Sequence, residues 1–276
     1  MIVLSVLATL INQSEPMARN WDPSGYEETS KWAKVLAYEV IDLIPFQGIE
    51  TILDVGTGDG KIAAILASKV PRGKVIAIDP SKEMIRFAVA HHSAPNLHFT
   101  LGDAVGFQTQ EQFDLITSFT ALHLVSDPER AMNHFYSLLN PQGRLFLKFP
   151  ISDGFGSALE SVMQSPQWGS YFSNYHPGWY FHTKENYEKW LSEAGFTSIR
   201  IQEGILDEAY NSKEELIQAV RHWLPHIQVL PSDLQDPFLN DLITLLLDEQ
   251  RSNEFHHFEP FLFIQAVKRP SLSIHF

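Results

Sequence analysis

The sequence predicts an α/β fold built on a mostly parallel sheet, and three observations carry that expectation. Between Thr51 and Pro150, short apolar runs alternate with longer segments of helical period. The spacing leaves room for a crossover helix between successive strands, the βαβ arrangement of a parallel sheet. The run ILDVGTGDG, Ile52 to Gly60, then sets three glycines after a buried strand and before a helix, where the backbone of such a sheet admits a ligand.

The elements follow in order. TILDV (51–55) reads as a buried strand. Lys61 to Lys69 has helical periodicity and closes at VPRGK. VIAID (75–79) is the second strand. SKEMIRFAVAHH begins with Ser81 as N-cap and Glu83 in the first turn, an oxygen that accepts from the orphan helical N–H groups and a charge that suits them. LHFTLGD (97–103) and FDLITS (113–118) are the third and fourth strands. In DPERAMNHFYSLLNPQG, Asp127 caps the helix, Pro128 takes its first position, and Pro141 and Gly143 stop it. RLFLKF (144–149) is the fifth strand.

Residues 24–46 read as one long helix ending before Pro45, and TKENYEKWLSEAGF as a capped helix stopped at Gly195. Residues 196–204 form a strand, 212–223 and 232–252 are helical, and HFEPFLFIQAVK closes the chain as a last strand. The aromatic stretch WGSYFSNYHPGWYFH (168–182) is loop-like; it either packs on the sheet as a cover or forms a wall of a substrate pocket. No linker divides the parts. The expected organisation is an extension at 1–20 and one domain at 21–270, with a core at 50–150 and a helical cap from 21–46 and about 205–253.

Composition narrows the function. The net charge is −13, which disfavours a nucleic-acid partner, since phosphate binding calls for a basic face. There is no cysteine, hence no disulfide, thiolate metal site or cysteine nucleophile, in keeping with a reducing, cytoplasmic setting. No apolar run reaches membrane-spanning length. The opening MIVLSVLATLI has the length of a signal-peptide core but no basic start; Met17 is the expected natural start, with a targeting or docked segment as alternatives. No histidine–carboxylate cluster has metal-ligand spacing, so no metal is expected.

The glycine loop is D-x-G-x-G-x-G, Asp54 through Gly56 and Gly58 to Gly60, with Thr57 and Asp59 between. That differs from the G-x-G-x-x-G of dinucleotide sites. Its carboxylates repel a pyrophosphate and suit a ligand with a positive amino group. Asp79, before Pro80, ends the second strand, where a carboxylate accepts from both ribose hydroxyls; dinucleotide enzymes share this feature. Gly102-Asp103-Ala104 follows the third strand, and an acid there can accept from an adenine amino group. After the fourth strand comes the polar-aromatic loop SFTALH, a place for reacting groups.

These stretches, LDVGTGDG, VIAIDPSKEMI, LGDA, FDLITSFTALHLVSD and LLNPQGRLFLKF, stand in the order and spacing of a known family. The run from about Asp22 to Pro150 resembles the class I S-adenosylmethionine (SAM)-dependent methyltransferases. The resemblance implies a Rossmann-like, seven-stranded sheet whose last strand is antiparallel, with helices on both faces. WDPSGYEETS before a long helix is similar to a narrower branch, the trans-aconitate and juvenile hormone acid methyltransferases, which methylate carboxylates of small molecules. Ala33 and Leu124 depart from that branch's frequent glutamine and tryptophan, where substrate is expected.

The resemblance further implies site roles. The backbone of Gly56, Gly58 and Gly60 lines the methionine part of SAM, with Thr57 beside it. Asp54 supports the amino group, Asp79 holds the ribose next to Pro80, and Met84 packs near the adenine. Asp103, between Gly102 and Ala104, reads the adenine amino group. Phe119 and Thr120 lie near the sulfonium, and Tyr26 closes over the cofactor. The expected reaction is SAM-dependent O-methylation of a small-molecule carboxylate, with an organic acid as the expected partner, leaving S-adenosylhomocysteine. A carboxylate is already ionised and needs no base. If the acceptor is instead a phenol or carbon acid, His123 is the candidate catalytic base. The alternatives are a C- or N-methyltransferase of quinone or natural-product type and a SAM-binding module without turnover.

Overall fold

The computed structural model describes residues 31–251 and 254–270. In chain order they form α1 (Lys31–Leu43), β1 (Thr51–Val55), α2 (Lys61–Lys69), β2 (Lys74–Asp79), α3 (Lys82–His91), β3 (Leu97–Leu101) and β4 (Phe113–Phe119). A 3-10 turn at Leu122–Leu124 leads to α4 (Pro128–Leu138) and β5 (Leu139–Pro150). Two short helices, α5 (Ala158–Gln164) and α6 (Gly169–Phe172), precede α7 (Lys184–Ala194) and β6 (Phe196–Tyr210). Then come α8 (Lys213–Trp223), a 3-10 turn at Pro225–Val229, α9 (Ser232–Gln250) and β7 (Phe255–Lys268).

The seven strands make one sheet in the order β3-β2-β1-β4-β5-β7-β6. Neighbours from β3 to β5 run parallel, and β7 lies antiparallel between β5 and β6. The chain leaves β1 for one side of the sheet and returns through β4 on the other. That reversal opens a crevice at the carboxyl ends of β1 and β4, where ligands of such sheets bind.

Local chemistry sets the helix ends. Ser81 Oγ accepts from the Met84 N–H at 3.2 Å, and Asp127 Oδ1 from the Arg130 N–H at 3.0 Å. Thr183 and Asn186 form a reciprocal capping box, and Gly195 ends α7 at φ 103°, a conformation glycine takes without a Cβ penalty. Three apolar clusters follow. One packs α4 and α7 on the sheet through Phe135, Leu147 and Tyr187. A second packs α1 and α2 on the other face through Ile41, Leu66 and Phe146. The third lies in the cap, where Phe155, Trp168, Leu216 and Phe238 meet.

Several boundaries differ from the sequence reading. Of the helix expected over 24–46, α1 accounts for Lys31 to Leu43, and residues before 31 lie outside the described ones. β5 begins at Leu139 rather than Arg144, because Leu139 already pairs with Phe113 and Asn140 to Gly143 form a bulge, with Gln142 at φ 66°, before pairing resumes at Arg144. β6 runs to Tyr210 instead of ending at 204, so 205–210 belong to the sheet and not to the helical cap. Its extra length comes from pairing with β7, Tyr210 against Phe255, which local propensity does not encode. The 168–182 stretch is not a loop packed on the sheet: Trp168 and Phe172 join the cap cluster, and Trp168 Nε1 donates to Asp241 at 2.9 Å. Among the described residues, no helix is long and apolar enough to cross a membrane.

On β7, burial, then the nearby Glu208 carboxylate, push Glu259 from 4.5 up to about 8. The folded state therefore holds this proton more tightly than the unfolded chain. Its favourable contribution is complete below about pH 4.5 and is lost as pH rises to about 8. Urea unfolding of wild type and Glu259→Gln at pH 6 and pH 9 should show a larger loss of stability at pH 9 in the wild type. Equal losses in the two proteins would refute this.

Candidate functional site

The glycine loop is fixed from below. Gly56 and Thr57 both donate their N–H to the Ile78 carbonyl at the end of β2, at 2.8 and 3.0 Å. Gly58 N–H donates to Asp79 Oδ2 at 2.9 Å, and Ser81 N–H to Asp79 Oδ1 at 2.8 Å. The Asp79 carbonyl accepts from Gly102 N–H at 3.1 Å. One residue thus ties the loop after β1, the start of α3 and the turn after β3. Burial pushes the Asp79 carboxyl above its usual range, against the lowering effect of the Ser81 and Gly58 N–H groups.

The loop needs its glycines for two different reasons. Gly56 sits at φ 74°, and a Cβ there would stand 2.3 Å from the Ala121 Cβ. It brings the loop against the chain leaving β4. Gly60, at φ 83°, would put a Cβ 2.6 Å from the Ala88 Cβ and 2.8 Å from the Phe99 ring. It serves the packing of α2 on α3 and β3.

These elements enclose a cavity of about 350 Å³. Of the residues singled out in the sequence, Gly56, Gly58, Asp79, Pro80, Met84, Asp103, Ala104 and Thr120 line it. Val55, Val105, Ala121, Leu122, Leu124, Val125 and Ser126 complete the wall. Ala121 and Leu122 lie in the SFTALH loop and Leu124 stands where substrate was expected, whereas Val55, Val105, Val125 and Ser126 were missed. Asp103 Oδ1 accepts from the Val105 and Gly106 N–H groups at 2.9 and 2.6 Å, so it caps its own turn and also faces the cavity. Thr120 stands at φ 55°, held by its N–H on the Lys148 carbonyl at 2.8 Å. Its Oγ1 is buried without a hydrogen-bond partner among the described residues. A buried polar atom in that condition points to a ligand.

The other expected residues stand elsewhere. Asp54 lies under the loop, 2% exposed, where Oδ1 accepts from Thr117 Oγ1 at 2.8 Å. Burial pushes its carboxyl up to about 6; the Thr117 and Thr57 hydroxyls oppose this, and the Asp79 charge adds to it. Thr57 and Gly60 are not on the cavity wall, and Gly102 makes room for the Phe107 ring. Phe119 belongs to the apolar cluster beneath α1 and α2. His123 is buried outside the wall; its ring lies parallel to that of Phe181 at 6.2 Å, and its carbonyl accepts from Tyr180 N–H at 2.7 Å. Tyr26 falls outside the described residues. Among the described residues, no group of three or more His, Asp or Glu could hold a metal ion.

The wall carries two carboxylates, Asp79 and Asp103, and no Lys or Arg among the described residues. Such a cavity accepts hydroxyl and amino donors and opposes a diphosphate. A methyltransferase domain model matches residues 19–201. The chain belongs to the methyltransferase domain family.

This methyltransferase is similar to the juvenile hormone acid O-methyltransferase of Bombyx mori, 28% identical over 74% of the chain and 78% of that enzyme. It is 30% identical to the trans-aconitate 2-methyltransferase of Escherichia coli strain 55989 over 54% of the chain, and spans 58% of that relative's length. Among solved structures, the YcgJ protein of Bacillus subtilis covers 86% of the chain, with a TM-score of 0.63 at 19% identity over the whole of that protein. The chain is a class I enzyme that uses SAM. The wall fits that cofactor: its two carboxylates line a space with no Lys or Arg among the described residues. Gly56→Ala should weaken binding of S-adenosylhomocysteine at least tenfold. The loop of the variant leaves its place on the wall to relieve a left-handed backbone cost of roughly 1–2 kcal/mol and the contact with Ala121. Calorimetric titration checks this, and an unchanged affinity in a folded variant would refute it.

Proposed function

We propose that the methyltransferase transfers the methyl group to the carboxylate of a small organic acid. The observation that carries this reading is the wall beyond β4. Thr120, Ala121, Leu122 and Leu124 present no ionisable side chain there, and the His123 ring stacks on Phe181. An acceptor that is already ionised at neutral pH needs no base. The names of the Bombyx mori and Escherichia coli relatives, both at modest identity, support the same reading.

When bound, SAM supplies an electrophilic methyl on a sulfonium. The chain's part is to hold, align and dry the reacting groups. In this reading Asp79 accepts from the ribose hydroxyls with the lone pairs that Gly58 and Ser81 leave open. Asp103 uses Oδ2 on the adenine amino group, while Met84 and Pro80 flank the ring. Gly56 and Gly58 give backbone room for the methionine part, and Asp54 supports its ammonium from beneath the loop.

The Asp54 role has a pH signature. Ionised Asp54 favours the ammonium, and its pKa near 6 places the change in an accessible window. Affinity for S-adenosylhomocysteine should rise between pH 5 and pH 7, approaching tenfold per pH unit at the acid end. Asp54→Asn should flatten that rise. A profile that is the same in both proteins would remove Asp54 from the role.

The reaction itself is tested with methyl-labelled SAM and pooled organic acids and quinone precursors. Base treatment that releases labelled methanol is the expected result, since only a methyl ester does so. A base-stable label would overturn the carboxylate reading and direct attention to His123 as base.

A further inference from the structure

A second cavity, about 680 Å³, opens beside the first. The strip Leu122–Leu124 stands between them: Leu122 and Leu124 face the first cavity, and His123 reaches Phe181, which lines the second. The Tyr180 N–H to His123 carbonyl bond fastens the two walls together. Asp153, three residues beyond β5, also lines the second cavity. Both cavities therefore open at the carboxyl edge of the sheet.

The walls of the second cavity are mainly apolar: Leu159, Met163, Phe172, Pro177, Trp179 and Phe181. Its two carboxylates are already engaged. Asp153 Oδ1 accepts from Phe155 N–H at 2.9 Å, and Glu160 Oε1 from Gln164 Nε2 at 2.8 Å. No Lys or Arg lines the space among the described residues. A second anionic group on a ligand would lose its hydration there and meet two carboxylates with no cation in return. An aromatic or branched hydrocarbon body would bury its surface against the rings without such a loss.

We infer that this cavity seats the body of the methyl acceptor and selects monocarboxylic acids with a neutral, largely apolar body over di- and tricarboxylates. The inference rests on the carboxylate reading above for the identity of the reacting group, and on the cavity alone for the body. Trp179 is the specificity-determining residue, since its ring lies 5.7 Å from Phe181 and 5.3 Å from the His226 ring on the same wall.

The test uses the full chain saturated with S-adenosylhomocysteine and calorimetric titration of three probes. These are 1-naphthaleneacetate, propane-1,2,3-tricarboxylate and 2-(1-naphthyl)ethylamine. The naphthalene acid should bind at least tenfold more tightly than the tricarboxylate and the amine. Trp179→Ala should weaken it about tenfold or more, Trp179→Phe much less, with S-adenosylhomocysteine affinity unchanged in both. Equal or tighter binding of the tricarboxylate overturns the proposal, as does an acid affinity indifferent to Trp179→Ala; equal or tighter binding of the amine sinks the carboxylate reading and leaves the cavity assignment standing. A base-stable methyl product formed with this binding order intact would sink the carboxylate reading and leave the cavity assignment standing.

Discussion

The carboxylate of Asp79 is the point on which the site depends. A charged group that is largely buried is costly unless its lone pairs are engaged, and here they are engaged by the N–H groups of Gly58 and Ser81. Those two donors belong to different crossover units. With the Gly102 N–H on the Asp79 carbonyl, three loops from three strands share one residue as anchor. The cost of burying Asp79 is thereby turned into a fixed relation between the glycine loop, the start of α3 and the turn at Asp103.

That arrangement explains why the cavity is acidic without being occupied by the acids' own partners. Asp79 and Asp103 each use oxygen lone pairs to hold backbone and keep others toward the space. Asp54 is placed one layer lower, against Thr117. On the far side the wall changes character. Beyond Thr120 its wall residues Ala121, Leu122 and Leu124 are apolar, and the same strip separates the acidic cavity from the aromatic one. In the proposed reading, polar recognition of a cofactor and apolar recognition of an acceptor are divided along one stretch of chain, the segment leaving β4.

Much of this was legible in the sequence, because much of it is local. Caps at Ser81, Asp127 and Thr183 and the stop at Gly195 are decided within a few residues. The spacing of the glycine loop, Asp79 and Asp103 follows from strand, turn and helix in succession. What was not legible depends on partners distant in the chain. Gly60 and Gly102 look like ligand-facing glycines, yet they answer to Ala88, Phe99 and Phe107. Asp54 and Asp79 are both acids late in a strand. Only the β1–β4 register, which sets Asp54 against Thr117, separates their roles. Phe119 and the end of β6 were misplaced for the same reason, since sheet pairing and face assignment are long-range facts. The second cavity joins residues from Asp153 to His226; the aromatic stretch 168–182 marked one wall of it, and the rest comes from residues distant in the chain.

The central claim is that one buried carboxylate organises a SAM site. Its most direct test is calorimetric titration of S-adenosylhomocysteine into Asp79→Asn, with far-UV circular dichroism confirming that the variant is folded. Loss of the charge-assisted bonds should weaken binding by about tenfold to a hundredfold, the scale of roughly 1.5–3 kcal/mol for hydrogen bonds to a charged group. A folded Asp79→Asn protein that binds as tightly as the wild type would contradict the account.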